Sequence, residues 1–135
     1  MSEQKSCRER VQAELDSTME VLETLLDLDP DEEHEELGSL YDYGLSIDYV
    51  EPNTFEDQEQ GYVRYQLSWG GPSDEFRYYV NYDGTPYHIE YWFMDWHDGA
   101  EIELTGHYKD VMMEVWEAMY MESVLEREKE KEEMR

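Results

Sequence analysis

The residues best suited to chemistry lie in the stretch DWHD, where Asp95, His97 and Asp98 offer the ligand types that hold a metal ion. His88 and His107 flank this stretch at intervals of 9 and 10 residues from His97. A metal site requires ligands that converge in space, and these intervals alone do not bring them together. We therefore predict that the histidines form hydrogen bonds in loops and at strand ends, and that the chain holds no metal.

The segment DLDPDEE is a second candidate, because Asp27, Asp29 and Asp31 have the first three ligand spacings of an EF-hand loop. Pro30 interrupts the segment, and Glu32 occupies a position where the loop needs glycine. A dedicated calcium site is not predicted. The sequence also contains no P-loop, dinucleotide fingerprint, HExxH motif or paired CxxC, so no cofactor is predicted.

Enzymatic chemistry has no distinctive signature in this chain. With 36 Asp and Glu residues, some carboxylate pair will always look suitable for acid–base catalysis, so such pairs carry no information. Cys7 and the serines lie in no recognisable nucleophile motif. The glycines of SWGGPSDEF are followed by Asp74 and Glu75 with no lysine nearby, which favours a strand turn with a bulge over a phosphate-binding loop. We predict a protein that is not an enzyme.

Charge is the strongest signal in the sequence. The formal net charge is −26, and between Val11 and Tyr108 only Arg64 and Arg77 are basic. Such a charge disfavours nucleic acids and anionic membranes as partners and favours a basic protein surface. An aromatic content of 14% separates the chain from disordered acidic tails and predicts a folded domain. A generic acidic or salt-adapted protein is the alternative, although Glu outnumbers Asp and the C-terminal tail retains lysines.

Apolar residues recur at steps of three and four from about Ser6 to Asp27, which predicts an amphipathic helix. Ser6 and Glu9 have the spacing of a capping box. Acidic residues form one straight stripe on the other side of this helix. An acidic connector follows, from Asp29 to Gly38.

From Leu45 the pattern changes to period two and predicts four strands separated by turn residues. The predicted strands are Leu45–Val50, Tyr62–Trp69, Phe76–Tyr82 and His88–Trp96, with a possible fifth at Ala100–Leu104. Short links predict an antiparallel meander. One face collects apolar residues for a helix to cover: Leu45, Ile47, Tyr49, Val63, Tyr65, Leu67, Trp69, Phe76, Tyr78, Val80, Ile89, Tyr91 and Phe93.

The opposite face of the predicted sheet is mixed, and cross-strand ion pairs are expected there among Asp48, Arg64, Arg77 and Glu90. A second helix is predicted to start after Thr105 and Gly106 and to continue to the C-terminus, ending from about residue 126 in a solvated, charged extension. We therefore predict a single α+β domain over residues 1–135. Its order is a helix, four or five antiparallel strands, and a C-terminal helix packed on one sheet face.

Location is indicated by three sequence features. The lone Cys7 excludes an internal disulfide, no apolar run approaches 18 residues, and the N-terminus MSEQKSCRER lacks the apolar segment of a signal peptide. These features favour the reducing cytoplasm of a bacterial or archaeal cell.

In size, charge and aromatic richness, the chain resembles the small acidic DNA-mimic proteins that phages and mobile elements use against restriction and CRISPR systems. The segments LSWGGPSDEFRYYV and IEYWFMDWHDGAEIEL look like parts of small phage and plasmid proteins. This resemblance implies inhibition by occupation of a nucleic-acid site. It implies no fold, because mimics of this kind have many unrelated folds.

The predicted function is non-enzymatic inhibition of a nucleic-acid-binding defence complex, without direct nucleic-acid or membrane binding. Carboxylates three or four apart on a helix lie about 5–6 Å apart, and those two apart on a strand about 6.6 Å, close to the spacing of neighbouring phosphates. The alternatives are an acidic immunity or adaptor protein that does not imitate DNA, and a small enzyme or metal-binding protein. The predicted contacts are Glu9, Asp16, Glu20, Glu23 and Asp27 on the helix, Asp29, Asp31, Glu32, Glu33, Glu35 and Glu36 in the connector, and Glu56, Asp57, Glu59, Asp95, Asp98, Glu101 and Glu103 in loops.

Overall fold

The computed structural model describes residues 6–134 and begins with helix α1, Cys7–Leu26. The predicted capping box is confirmed: the Ser6 hydroxyl accepts a hydrogen bond from the Glu9 N–H, and the Glu9 carboxylate accepts one from the Ser6 N–H. The amphipathic pattern places one face of α1 in the core. Its buried apolar residues are Cys7, Val11, Leu15, Met19, Leu22 and Leu25.

The acidic connector after α1 folds as a hydrogen-bonded turn. His34 and Gly38 form an isolated bridge, and the Nδ1 of His34 accepts hydrogen bonds from the N–H groups of Glu36 and Leu37 at 3.1 and 3.3 Å. A short helix α2, Leu40–Tyr43, follows and is capped by the Ser39 hydroxyl. Local hydrogen bonds therefore fix the backbone of this acidic segment.

The sheet is the predicted antiparallel meander, with five strands in the order β1-β2-β3-β4-β5. The strands are β1 Ser46–Val50, β2 Tyr62–Ser68, β3 Pro72–Val80, β4 Pro86–Asp95 and β5 Asp98–Glu103. The bulge predicted near the β2–β3 turn is confirmed by the register shift between Gln66 and Ser68. Leu45 and Trp69 were predicted on the covered face, but they lie just beyond the strand ends and are 61% and 78% exposed.

The prediction of one continuous C-terminal helix is wrong, because the structure has α3 Gly106–Ala118 and α4 Glu122–Glu133. Tyr120 lies between them in the left-handed region, with φ 52°. The Tyr120 N–H donates to the Glu117 carbonyl and the Met121 N–H to the Trp116 carbonyl, the hydrogen-bond pattern of a Schellman motif. Glycine usually occupies this position, and because a tyrosine occupies it here, the sequence did not predict the end of α3. The charged end predicted from about residue 126 is helical through Glu133 and mostly exposed.

The core lies between the helices and one face of the sheet. On that covered face Val63, Tyr65, Phe76, Tyr78, Ile89, Tyr91 and Phe93 are buried in one cluster with α1 and α3. The Tyr78 hydroxyl donates to the Met112 carbonyl at 2.8 Å and ties β3 to α3. Leu125 of α4 packs against the same cluster. Within residues 6–134, no helix combines the length and apolar character needed to cross a bilayer.

Candidate partner-binding surfaces

The second face of the sheet, here called the open face, carries charged side chains that lie opposite one another on neighbouring strands. Arg64 lies opposite Asp48 on one side and opposite Arg77 on the other. Its guanidinium binds both carboxylate oxygens of Asp48, at 3.0 and 2.7 Å, which confirms one of the expected ion pairs. This bidentate geometry neutralises Arg64 and fixes its direction.

Arg77 was expected to form a cross-strand ion pair with one of the acids Asp48 and Glu90, and this expectation is wrong. The register does place Arg77 and Glu90 opposite each other, but the Nε of Arg77 donates instead to the Oε2 of Glu75 at 2.8 Å. The guanidinium lies 3.9 Å from the Trp92 ring centroid and 4.7 Å from that of Tyr62. Two aromatic faces and a buried carboxylate thus hold Arg77, and Glu90 is left to its own partners.

Glu90 has its own partners on the open face. Its carboxylate lies 3.0 Å from the Nε2 of His88 and accepts hydrogen bonds from the Trp92 Nε1–H at 2.9 Å and the Tyr79 hydroxyl at 3.3 Å. Burial by itself favours the protonated acid, but the hydrogen bonds from His88, Trp92 and Tyr79 hold the pKa of Glu90 below its ordinary value. Glu90 is therefore a structural anion at neutral pH.

A cleft of about 610 Å³ lies at one end of the open face. Three aromatic side chains line it, Phe55, Trp69 and Trp96, which are 48%, 78% and 85% exposed. The other lining residues are Arg64, Gly70, Gly71, Ser73, Glu75, Arg77 and Met94. A volume of this size is typical of sites for small ligands or anchoring side chains.

The loop of residues 51–61 supplies Phe55 to this cleft. It leaves the sheet at the end opposite the β2–β3 turn, yet Phe55 and Gly70 line the same cleft, so the loop must fold back along the open face. Gln58 stabilises the loop, because its side-chain oxygen accepts from the N–H groups of Thr54 and Phe55 at 2.9 and 3.0 Å. Its amide nitrogen also donates to the carbonyls of Glu51 and Gln60. Phe55 is thus held by a hydrogen-bonded loop.

The two tryptophans come from neighbouring hairpin turns at the same end of the sheet. Trp69 follows β2, where the buried Gln66 amide donates to the carbonyls of Ser68 and Asp74 at 2.7 and 3.2 Å and braces the turn. Trp96 lies between the paired residues Asp95 and Asp98, with φ 58°. A bulky residue in the left-handed region is strained, whereas Gly or Asn is common there.

Helix α1 supplies basic partners for the acids of the β4–β5 hairpin. Arg10 pairs with Asp95 at 2.8 Å and lies 4.7 Å from the Phe93 ring centroid. Arg8 pairs with Glu101 at 3.6 Å and donates to the Glu101 carbonyl at 2.8 Å. Four sequence-predicted contact residues, Asp95, Asp98, Glu101 and Glu103, lie on this hairpin, and three of them bind the start of α1.

Asp98 completes this attachment by accepting the Cys7 N–H at 2.7 Å, where it satisfies a free donor at the helix N-terminus. This backbone hydrogen bond lowers the pKa of Asp98. Cys7 itself is buried, and burial together with the Asp98 carboxylate raises the pKa of its thiol. Glu103 lies 3.6 Å from His88, so the fourth hairpin acid also faces a neighbour that is basic when protonated.

The acidic stripe of α1 is partly occupied by contacts with α3. The Asp16 carboxylate accepts from the Tyr108 hydroxyl at 2.8 Å and from the Gln12 amide at 2.9 Å, and Glu23 contacts His107. Glu9 serves the capping box. Of the predicted stripe, Glu20 and Asp27 are exposed and have no side-chain hydrogen bond or ion pair within residues 6–134.

The connector differs from the stripe and the hairpin in that all its acids are exposed. Within the described part of the chain none of them forms an ion pair with a basic residue. The structure thus places these acids together on one turn: Asp29, Asp31, Glu32, Glu33, Glu35 and Glu36. Glu56, Asp57 and Glu59 are also exposed, on the loop that carries Phe55.

No group of three or more His, Cys, Asp or Glu side chains within residues 6–134 has the arrangement of a metal site. In the stretch DWHD the two carboxylates are directed to Arg10 and to the Cys7 N–H, while His97 is exposed. Because of these contacts, the side chains of Asp95, His97 and Asp98 do not converge on a common point.

Sequence reasoning missed the aromatic cleft, because Trp69 and Trp96 were predicted as the last residues of two strands and Phe55 was assigned no role. A signal was available, since Trp69 and Trp96 lie next to turn-forming residues just after β2 and β4, and Phe55 lies in the loop between β1 and β2. Large aromatics in turns are rarely needed for a core and are frequent at binding surfaces. Comparisons with protein-family models, curated proteins and solved structures yielded no match.

Proposed function

We propose that the protein is a non-enzymatic inhibitor that occupies the nucleic-acid-binding surface of a bacterial defence complex, either a CRISPR effector or a restriction enzyme. The observation that carries the proposal is the connector, in which six exposed acids on one hydrogen-bonded turn lack basic partners within residues 6–134. In the described part of the chain, seven of the other twelve predicted contact acids have internal partners: Glu9, Asp16, Glu23, Asp95, Asp98, Glu101 and Glu103. The connector is therefore the acidic surface most available to a partner.

Preorganisation supports this assignment. Like charges held close together repel one another in the free protein, and a basic partner relieves that repulsion on binding. Because the His34 hydrogen bonds already fix the turn, binding requires little additional ordering of the backbone. Nucleic-acid-binding proteins present lysine and arginine at phosphate spacing, and a fixed array of carboxylates is complementary to such a surface.

Glu20 and Asp27 of α1 extend the proposed contact area, whereas the exposed acids Glu56, Asp57 and Glu59 lie on the loop that folds along the open face. The acids of the β4–β5 hairpin contribute through the overall negative field, because Arg8, Arg10 and the α1 N-terminus engage three of them. The field of a protein with net charge −26 steers a basic partner towards it at long range.

The test is capture of partners from bacterial lysates that contain defence complexes, with elution by a salt gradient and competition by excess duplex DNA. The test variant carries Glu32→Lys, Glu33→Lys, Glu35→Lys and Glu36→Lys. The matched control carries the same four changes at Glu126, Glu130, Glu132 and Glu133, which are exposed on α4. Both variants have the same net charge.

We expect the native protein and the α4 control to capture a nucleic-acid-binding complex that duplex DNA releases. We expect the connector variant to lose at least tenfold in apparent affinity while its circular dichroism is unchanged. Equal capture by the connector variant and the native chain would overturn the proposal. Equal loss in both variants would show that net charge alone, and not the connector, determines binding.

The cleft on the open face favours a second candidate, an acidic immunity or adaptor protein that binds one basic partner without imitating DNA. An exposed cluster of two tryptophans and a phenylalanine is typical of a protein–protein contact, and imitation of phosphates does not require it. Competition separates the two functions, because duplex DNA displaces a mimic from its target but does not displace an adaptor that binds elsewhere.

A further inference from the structure

We infer that the cleft lined by Phe55, Trp69 and Trp96 binds a guanidinium group, contributed by an arginine side chain of the partner protein. Because that arginine belongs to the basic partner, the inference rests on the proposed function and assigns a specific contact to it. It places the contact on the open face of the sheet, separate from the acidic connector.

The aromatic rim of the cleft, formed by Phe55, Trp69 and Trp96, favours a flat cation as the ligand. The cleft measures about 610 Å³, and its three aromatic side chains are 48–85% exposed although they lie together in one cleft. Aromatic faces attract cations, and arginine adds stacking of its planar guanidinium. The rim therefore suits a flat cation better than a compact, strongly hydrated one.

Glu75 provides a carboxylate oxygen that could accept a hydrogen bond from the guanidinium. Its side chain lines the cleft, yet the residue is only 3% exposed. The Oε2 accepts from Arg77 at 2.8 Å, and no hydrogen bond within residues 6–134 reaches the Oε1. A carboxylate normally accepts several hydrogen bonds, so one oxygen remains able to receive an N–H donor from a ligand.

Arg77 already shows how this face binds a guanidinium. Its group lies between the rings of Trp92 and Tyr62 and is held by the Glu75 carboxylate. An incoming arginine would meet the same two elements, an aromatic face and the second oxygen of Glu75.

The net charge of the protein also favours a cation over an anion. The charged residues that line the cleft are Arg64, Arg77 and Glu75. Each arginine is paired with a carboxylate, from Asp48 and Glu75, so neither presents an uncompensated charge to a ligand. An anionic ligand would have to approach against the net charge of −26, whereas a cation is attracted by it.

The rim is positioned before any ligand arrives. Gln58 fixes the loop that carries Phe55, and Gln66 braces the turn that carries Trp69. Trp96 occupies a backbone position that suits Gly or Asn, so the fold tolerates strain to present this side chain. Such fixed aromatics bind with a small loss of conformational entropy.

The experiment is a calorimetric and tryptophan-fluorescence titration of the full chain with acetyl-arginine amide. Acetyl-citrulline amide, which has nearly the same shape without the charge, is the matched ligand. Trp69→Ala is the main variant, because the side chain is mostly exposed and its removal leaves the core intact. Tyr82→Ala, at an exposed aromatic on the β3–β4 turn, is the control.

We expect saturable binding of the arginine amide, with citrulline at least tenfold weaker. We expect Trp69→Ala to weaken arginine binding at least tenfold and Tyr82→Ala to leave it unchanged. The inference is overturned by absence of saturable binding, by equal affinity for the two amides, by a preference for acetyl-glutamate amide, or by native affinity in Trp69→Ala.

This titration separates the two proposals. If the arginine amide fails to bind while a DNA-released complex is still captured, the cleft inference falls and the proposed function stands. If the arginine amide binds and no such complex is captured, the proposed function falls and the cleft remains a guanidinium site. The connector variant is expected to bind the arginine amide with no more than a modest change.

Discussion

The two faces of the sheet are built from the same five strands but solve different physical problems. The covered face buries Val63, Phe76, Tyr78 and Ile89 against the helices, and its side chains meet few charges. The open face carries paired charges along its length and a rim of exposed aromatics at one end. The difference shows that the alternation of apolar and polar residues along each strand separates the two faces. The residues in the turns and loops add the exposed aromatic rim to the open face.

We expect the largest difference in the free energy of unfolding between two variants that each truncate one aromatic side chain, one on the covered face and one at the rim of the open face. Phe76→Ala removes a ring that contacts Tyr65 and Tyr91 in the core and should lower the free energy of unfolding by about 3–5 kcal/mol. Trp69→Ala should change it by less than about 0.5 kcal/mol, because the side chain is exposed. Urea denaturation measures both values. Similar losses in the two variants would contradict the assignment of the faces.

Alkaline pH should lower the free energy of unfolding, mainly through the buried tyrosines of the covered face. Burial raises the pKa of Tyr65, Tyr78 and Tyr91, and burial raises that of Tyr62 on the open face to about 12. The folded state therefore keeps protons that the unfolded chain releases near pH 10. This contribution to stability is present below pH 10 and is lost as the pH rises through the folded values.

The measurement is a pH titration that follows phenolate absorbance and far-ultraviolet circular dichroism together. We expect the late phase of tyrosine ionisation to coincide with loss of secondary structure. Complete ionisation of all tyrosines in a chain that keeps its native dichroism would contradict the burial of these side chains.

The attachment of α1 to the β4–β5 hairpin should give the next largest effect. Arg10→Ala removes a largely buried ion pair with Asp95 and the contact with the Phe93 ring, and should cost about 1–2 kcal/mol. Arg127→Ala, at an exposed position on α4, is the matched control and should be close to neutral. The denaturation midpoints of the two variants measure the difference. If they agree, the hairpin acids are not anchored by α1.

Trp96→Asn should have a smaller effect of the opposite sign. Because the residue lies at φ 58°, asparagine should relieve strain and raise the free energy of unfolding by about 1 kcal/mol. The same substitution should weaken binding of acetyl-arginine amide. A thermal melt and the titration test the two effects separately, and a lowered melting temperature would show that the tryptophan stabilises the turn.

Much of the fold follows from short-range sequence patterns. Period-two alternation and the turn residues predict the meander, and the apolar steps with Ser6 and Glu9 predict α1 and its cap. The break between α3 and α4 was not predictable from such patterns, because a tyrosine occupies the position usually taken by glycine. In the structure the end is marked by the left-handed backbone of Tyr120 and by the local hydrogen bonds to the Glu117 and Trp116 carbonyls.

The availability of individual acids could not be derived from the sequence, because it depends on contacts between distant segments. Arg8 and Arg10 precede Asp95 and Glu101 by more than eighty residues, and only the fold brings them together. Three of the four acids of the β4–β5 hairpin, Asp95, Asp98 and Glu101, therefore bind the start of α1. The connector has no such partner in the described part of the chain, since its hydrogen bonds are local.

The burial of Cys7 at the start of α1 has a practical consequence. Its thiol is shielded and its pKa is raised, so alkylating reagents should modify the native protein slowly. Reaction becomes fast only when the first turn of α1 separates from the hairpin that carries Asp98. The single thiol is thus a native reporter of local opening, and its alkylation rate measures how often the start of α1 separates from the hairpin, without any introduced label.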